Sequence, residues 1–223
     1  VTPKEASSLG AADTYEHNSG SICASWWWSG NLTEGVYVGL DGTPGGYSIW
    51  DVNGTDFKWQ YKATAKEENY QFRSYDLNNV SFSYDDVPKL KDSGMKLEFA
   101  KYIAAYPALS KKNEVLINVW NWSSDWTLEV KDETGKKLEW TRCYAYDPLH
   151  IKALTVKRFN KDITSTPSFV TEKKMPHFFM VKADDANVDL TIKVTDPFGN
   201  VYTENMARPK AFNSLTDSEL KEY

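Results

Sequence analysis

The strand pattern that fixes the fold class reads Val188-Asp-Leu-Thr-Ile-Lys-Val-Thr195. Apolar and polar residues alternate throughout, so an extended backbone places them on opposite faces of a sheet. The stretch runs into Asp196-Pro-Phe-Gly-Asn200, whose residue types favour a tight turn. We therefore predict a half-buried strand that closes into a hairpin with the strand that follows.

The same pattern recurs through the second half of the chain. About seven short strands over roughly 100 residues, separated by turn residues, are typical of an immunoglobulin-like sandwich. The Cys–Trp–Cys spacing of antibody domains is absent, so this likeness concerns architecture alone. The predicted fold class is mainly all-β, with antiparallel sheets and an immunoglobulin-like β-sandwich in the second half. The strands predicted there include Val115–Trp120, Trp126–Lys131, Leu138–Tyr146, His177–Ala183, Val188–Thr195 and Val201–Asn205.

The first half contains a predicted β-hairpin. Its first strand, Tyr47–Val52, continues into Asn53-Gly54, a pair that is typical of a type I′ turn. In the second strand Phe57, Trp59 and Tyr61 alternate with polar residues. Because alternate side chains share a face of a strand, we expect these three aromatic side chains to point into the core.

The residues between the two β regions break the alternation. Residues 85–112 are rich in turn residues, and their apolar positions fit neither a strand period nor a helix period, so a connector is favoured over a short helix. The predicted sandwich covers residues 113–212. In the tail, residues 213–223, Thr216 and Glu219 have the spacing of a capping box, which predicts one or two helical turns or disorder.

The composition is that of a folded protein. The 223 residues include 9 Trp, 13 Tyr and 10 Phe, more aromatic surface than a disordered chain carries. A net charge of −5 without long runs of one sign argues against nucleic acid as a partner. No stretch approaches the roughly 20 apolar residues of a membrane span. The chain begins at Val1 without the features of a signal peptide, so we expect a piece of a longer protein.

Motifs for catalysis or metal binding are missing from the sequence. A centre that holds two metal ions needs a dense cluster of Asp, His and Asn, and none occurs. His17, His150 and His177 have no second ligand at the spacing of a zinc site, and nucleophile elbows and phosphate loops are absent. Cys23 and Cys143 lie far apart, which favours two buried thiols and leaves a disulfide open. We predict no catalytic, cofactor-binding or metal-binding residue in this fragment.

Six tryptophans form the candidate interaction surface. Trp120 and Trp122 share a face of one strand and Trp126 follows, the arrangement of a platform that stacks on sugar rings. Packing at the edge of the core is the favoured alternative, because large aromatic side chains usually bury most of their area. The run Trp26-Trp27-Trp28 alternates faces in a strand, so we expect a partner to cover one of them.

Several segments together resemble the C-terminal region of bacterial calcineurin-like metallophosphoesterases, over roughly residues 16 to 205. In the first half the resemblance is carried by a small-residue-Trp-Trp signature, an Asp-Gly-Thr-Pro-x-Gly-Tyr run and an aromatic strand. The segments that carry it are Ala24-Ser-Trp-Trp-Trp-Ser-Gly30, Leu40-Asp-Gly-Thr-Pro-Gly-Gly-Tyr47, Trp59-Gln-Tyr-Lys62, Val115-Leu-Ile-Asn-Val-Trp120, His177-Phe178 and Thr195-Asp-Pro-Phe-Gly199.

The resemblance implies a parent enzyme that hydrolyses phosphate esters with two divalent metal ions in an upstream catalytic domain. That domain would be the partner of this fragment, and residues 1–84 would adjoin or close it. The run Trp26-Trp27-Trp28 would form part of the contact. The resemblance also implies an exported parent, periplasmic or extracellular. A carbohydrate- or cell-surface-binding module is the alternative function.

Overall fold

The computed structural model describes residue 17 and residues 27–108, 112–160 and 171–212. Cys23, Trp26 and the predicted tail, residues 213–223, lie outside the described residues. The strands are β1 Gly46–Asn53, β2 Asp56–Ala63, β3 Phe72–Asp76, β4 Glu114–Val119, β5 Thr127–Asp132, β6 Lys137–Leu138, β7 Trp140–Ala145, β8 Met175–Lys182, β9 Leu190–Thr195 and β10 Val201–Met206. The helices are α1 Ser29–Leu32, α2 Ser93–Ala105, α3 Pro148–His150 and α4 Lys157–Asn160, with a 3-10 turn at Tyr84–Asp86 and a π-helical turn at Ile151–Val156.

Two four-stranded antiparallel sheets pack face to face. One has the order β3-β4-β8-β7 and the other the order β10-β9-β5-β6, while β1 and β2 form a separate two-stranded sheet. The prediction of a mainly β fold with antiparallel sheets is confirmed. The immunoglobulin-like topology stays a prediction. None of the helices in the described part of the chain combines the length and the apolar character that a membrane crossing requires.

The alternation in the sequence accounts for the core between the sheets. Val115 and Ile117 of β4 face Ile192 and Val194 of β9, and all four are fully or almost fully buried. However, β4 is also buried on its other face, where Leu116 belongs to a second apolar cluster. Because helical segments and loops cover that face, the structure has three layers rather than two.

The predicted connector contains a helix, α2, that closes this third layer. Asp92 accepts a hydrogen bond from the Met95 backbone N–H at 2.9 Å and so caps the first turn. Phe99 and Tyr102, three residues apart, are fully buried against the sheet. Leu97 is 78% exposed, and this apolar residue on the outer face obscures the helical period in the sequence.

The division into residues 1–84, 85–112 and 113–212 stays a prediction, but one pair of strands joins its first and last ranges. β3 pairs with β4 along its whole length, from Phe72↔Val119 to Asp76↔Val115. A strand from the first range therefore completes a sheet of the sandwich. Such pairing between distant segments leaves no signal in the local alternation from which the division was drawn.

The hairpin of β1 and β2 is present, with a different turn. Gly54 has φ +64° and is the first of two loop residues, as in type II′ turns, whereas the predicted type I′ turn has Asn53 in that position. Only Tyr61 of the three aromatic residues expected in the core is buried, and Phe57 and Trp59 are half-buried. The far end of the hairpin therefore extends beyond the core as an arm.

A buried ion pair fastens the segment after β10 to β3. Arg208 Nη2 lies 3.3 Å from Asp76 Oδ1, and both side chains are fully buried. The backbone N–H of Lys210 donates to the other oxygen of Asp76 at 3.2 Å. Asp76 therefore neutralises a buried cation and holds a chain segment in place.

We predict that Asp76→Ala lowers the free energy of unfolding by about 3–5 kcal/mol, because it leaves Arg208 charged and buried without its partner. Asp184→Ala is the control, since it removes an exposed ion pair in which Lys136 Nζ lies 2.6 Å from Asp184 Oδ2. Denaturant melts of both variants give the comparison, and the control should leave the midpoint almost unchanged. Equal midpoints for the two variants would contradict the prediction.

Candidate functional site

The predicted tryptophans occupy different environments. Trp120 is fully buried and Trp126 is 5% exposed, so neither ring is available as a platform for sugar. Trp122 is half-buried, with its ring centroid 4.4 Å from that of Phe179 and 6.4 Å from that of Trp126. The structure therefore gathers Trp122 and Trp126 but turns Trp120 to the opposite side, against Tyr70.

Trp27 and Trp28 are both half-buried. Trp27 lies on the loop of residues 39–45, which connects to the arm at the start of β1. A Cβ atom added at Gly45 would lie 3.4 Å from Trp27 Cδ2, so the indole lies directly on the loop backbone. Trp28 packs against Leu32 and Leu154. The two rings thus connect the segment that begins at residue 27 to the loop and to the π-helical turn.

A cluster of buried polar groups, here called the buried polar junction, holds that loop. It consists of Arg73, Tyr75, Asn118 and Asp147 together with the loop residues Asp41 and Gly42. Asp147, fully buried, accepts hydrogen bonds from Tyr75 Oη at 2.8 Å, from Asn118 Nδ2 at 3.0 Å and from the His150 backbone N–H at 2.9 Å. The last bond caps α3, so one carboxylate joins two strands and a helix.

The same donors bind the backbone of the loop. Asn118 Nδ2 donates to the carbonyl of Asp41 at 2.6 Å, and Arg73 Nη1 donates to the carbonyl of Gly42 at 2.9 Å. Arg73 Nη1 is also 4.0 Å from Asp147 Oδ2. Since buried polar groups are costly when unpaired, these bonds fix the loop on the outer face of the sheet.

Gly42 is required at its position for two independent reasons. Its φ of +77° lies in the left-handed region that favours glycine. A Cβ atom at this residue would lie 2.0 Å from Asp147 Cγ, far inside contact distance. The Asp-Gly-Thr-Pro run of the sequence therefore has a structural cause, which is the close approach of the loop to the carboxylate.

Electrostatics in the junction reflect burial and charge. Burial raises the pKa of Asp147, and the Arg73 guanidinium partly offsets that shift. At the rim, His177 Nε2 lies 3.4 Å from Asp41 Oδ2, within ion-pair distance but without the geometry of a hydrogen bond. Burial raises the pKa of Asp41, but contacts with His177 and Thr43 outweigh it and bring the value to about 2.

His150 lies under the junction and is uncharged at neutral pH. Burial lowers its pKa to about 4, although the negative charge of Asp41 opposes the shift. Its Nδ1 atom finds no hydrogen-bond partner within the described part of the chain. The imidazole is therefore a core side chain, and its protonation lowers the stability of the folded protein.

The chemistry of the junction is that of a structural clamp. Among the residues that the structure describes, no group of three or more His, Cys, Asp or Glu side chains is placed to hold a metal ion. The described residues therefore do not fit a two-metal centre. Cys143 is a free thiol whose pKa is raised by burial.

Sequence reasoning missed the junction, although a signal was present. Asn118 interrupts the apolar run Val115-Leu-Ile-Asn-Val-Trp120, and Arg73 stands among the aromatic residues of β3. A polar residue at a position that alternation predicts to be buried requires a partner. The partner, Asp147, could not be identified because it lies 29 residues from Asn118 in the sequence.

Comparison with known proteins gives one match. The family model described as the C terminal of calcineurin-like phosphoesterase matches residues 16–202, a span that includes the loop, the arm and all members of the junction. No curated protein and no solved structure matches the chain.

We predict that Gly42→Ala destabilises the protein more than Gly54→Ala does. Both glycines have positive φ, so either substitution costs about 1–2 kcal/mol of backbone strain. Of the two, only a Cβ atom at Gly42 would also clash with the Asp147 carboxylate, and such overpacking adds about 1–3 kcal/mol. No atom lies within 4 Å of a Cβ added at Gly54, which makes it the matched control. Equal losses of stability in denaturant melts would show that the loop does not press on Asp147.

We also predict a loss of stability in mild acid that depends on His150. Its folded pKa of about 4 lies below the unfolded value of about 6.5. Between these values the unfolded chain binds more protons, so stability is complete above pH 6.5 and falls by up to about 3 kcal/mol as the pH falls through 4. The free energy of unfolding of His150→Leu should therefore depend less on pH across this window. Parallel curves for variant and wild type would contradict the assignment.

Proposed function

The chain belongs to the family of C-terminal regions of calcineurin-like phosphoesterases, and we propose that it serves as a non-catalytic accessory region which folds against the catalytic domain of its parent enzyme. The match to residues 16–202 carries this proposal, since it covers most of the chain and describes it as the C-terminal part of an enzyme class. The character of the junction supports it, because its polar groups bind backbone and one another rather than surrounding an open site.

The parent enzyme in this proposal hydrolyses phosphate esters with two divalent metal ions. Those ions are held by the catalytic domain, since the described residues of this chain offer no ligand cluster. The resemblance of the sequence to bacterial enzymes supports an exported parent, in the periplasm or outside the cell. The run Trp26-Trp27-Trp28 is proposed to contribute to the contact with the catalytic domain, because Trp27 and Trp28 remain only half-buried here.

Three purified proteins test this function: the full-length polypeptide, its catalytic domain alone and the 223-residue chain alone. We expect the 223-residue chain to hydrolyse no aryl phosphate above background with manganese, zinc or iron, because it lacks a ligand cluster. We expect the catalytic domain alone to melt at a lower temperature than it does in the full-length polypeptide. Metal-dependent turnover by the 223-residue chain, or a catalytic domain with unchanged melting and activity, would contradict the proposal.

A further inference from the structure

The two faces of the arm differ in chemistry. Strand pairing places Trp50 opposite Trp59 and Val52 opposite Phe57 on one face, here called the arm face. The opposite face also carries two exposed apolar residues, Tyr47 and Ile49, but there they alternate with charged groups such as the pair Asp51 and Lys58. No charged residue lies on the arm face, whose members are Ser48, Trp50, Val52, Phe57, Trp59 and Tyr61.

The arm face exposes apolar area at its outer end. Val52 is 63% exposed and Trp50 is 38% exposed, and Phe57 and Trp59 are half-buried. Soluble proteins rarely expose a contiguous apolar patch unless a partner covers it. Since the patch is uncharged, the partner surface that fits it is apolar as well.

The base of the arm is fixed to the rest of the fold. Tyr61 Oη donates to the Pro44 carbonyl at 2.6 Å, and Gln71 Nε2 donates to the Tyr61 carbonyl. Pro44 belongs to the loop that the buried polar junction holds. The arm face therefore has a set direction relative to the sandwich, as a docking surface requires.

His17, near the start of the family region, lies against the arm face. Its ring centroid is 4.3 Å from that of Trp59 and 4.9 Å from that of Trp50, and its Nε2 atom is 3.1 Å from Ser48 Oγ. The family region begins at residue 16 and is described as the C-terminal part of an enzyme, and His17, the described residue next to that start, lies against the arm face. The partner with the shortest path to this face is thus the domain upstream.

We propose that the arm face is a docking surface for the catalytic domain of the same polypeptide, with Trp50 and Val52 at its centre. This inference rests on the proposed function and adds to it the place of the contact. A second copy of the chain and a carbohydrate are the other occupants that an aromatic face admits, and the experiment below separates them from the catalytic domain.

Hydrogen–deuterium exchange of the β1 and β2 amides tests the proposal, in the full-length polypeptide and in the 223-residue chain. We expect exchange to be at least about tenfold slower in the full-length polypeptide, because burying the arm face suppresses opening of the hairpin. Val52→Arg should abolish this difference. Ile49→Arg, the matched control at a 43% exposed position on the opposite face of the same strand, should preserve it.

Melting of the 223-residue chain checks that Val52→Arg acts on docking rather than on folding, and the expected midpoint is that of the wild type. Equal exchange with and without the catalytic domain would overturn the proposal, as would equal effects of Val52→Arg and Ile49→Arg. Slow exchange in the 223-residue chain that disappears on dilution, or appears only with added oligosaccharide, would assign the face to another occupant and would also overturn it. If the catalytic domain still depends on this region for its stability, the proposed function survives that failure.

Discussion

The arrangement of this protein depends on the hydrogen bonds that the buried carboxylate of Asp147 accepts. It receives donors from β3, from β4 and from the first turn of α3, and it lies beside the Arg73 guanidinium. A buried charge is tolerated only when such partners surround it. Because these partners come from three different elements, the carboxylate determines how the sheet, the helical layer and the loop meet.

The arm depends on the Asp147 carboxylate indirectly, through the loop. The loop that precedes it is bound through the carbonyls of Asp41 and Gly42, and the arm in turn is bound to the loop through Tyr61. Its outer end carries the exposed apolar residues Trp50 and Val52. A rigid base and an apolar tip are the properties that suit an accessory region to hold another domain.

The sequence was sufficient for most of the strands and insufficient for what covers them. The predicted strand Leu138–Tyr146 is divided between β6 and β7, which belong to different sheets. Alternation located β9 and its turn because one side of that strand faces the core and the other faces water. It could not show that β4 is covered on both sides, nor that the aromatic residues of β2 emerge from the core towards its outer end. α2 was missed because exposed Leu97 blurs its period, whereas the Asp92 cap was readable. The junction unites Arg73 with Asp147, and no local pattern connects residues so far apart.

The close contact between Gly42 and Asp147 also bears on how this chain can change over time. The two residues lie more than 100 positions apart, yet they share one small volume in the fold. A side chain gained at residue 42 needs a shorter residue at 147, and that residue would release Arg73, Tyr75 and Asn118 together. A larger side chain at residue 42 is therefore blocked unless residue 147 changes as well, so the loop and the sandwich constrain each other's sequence.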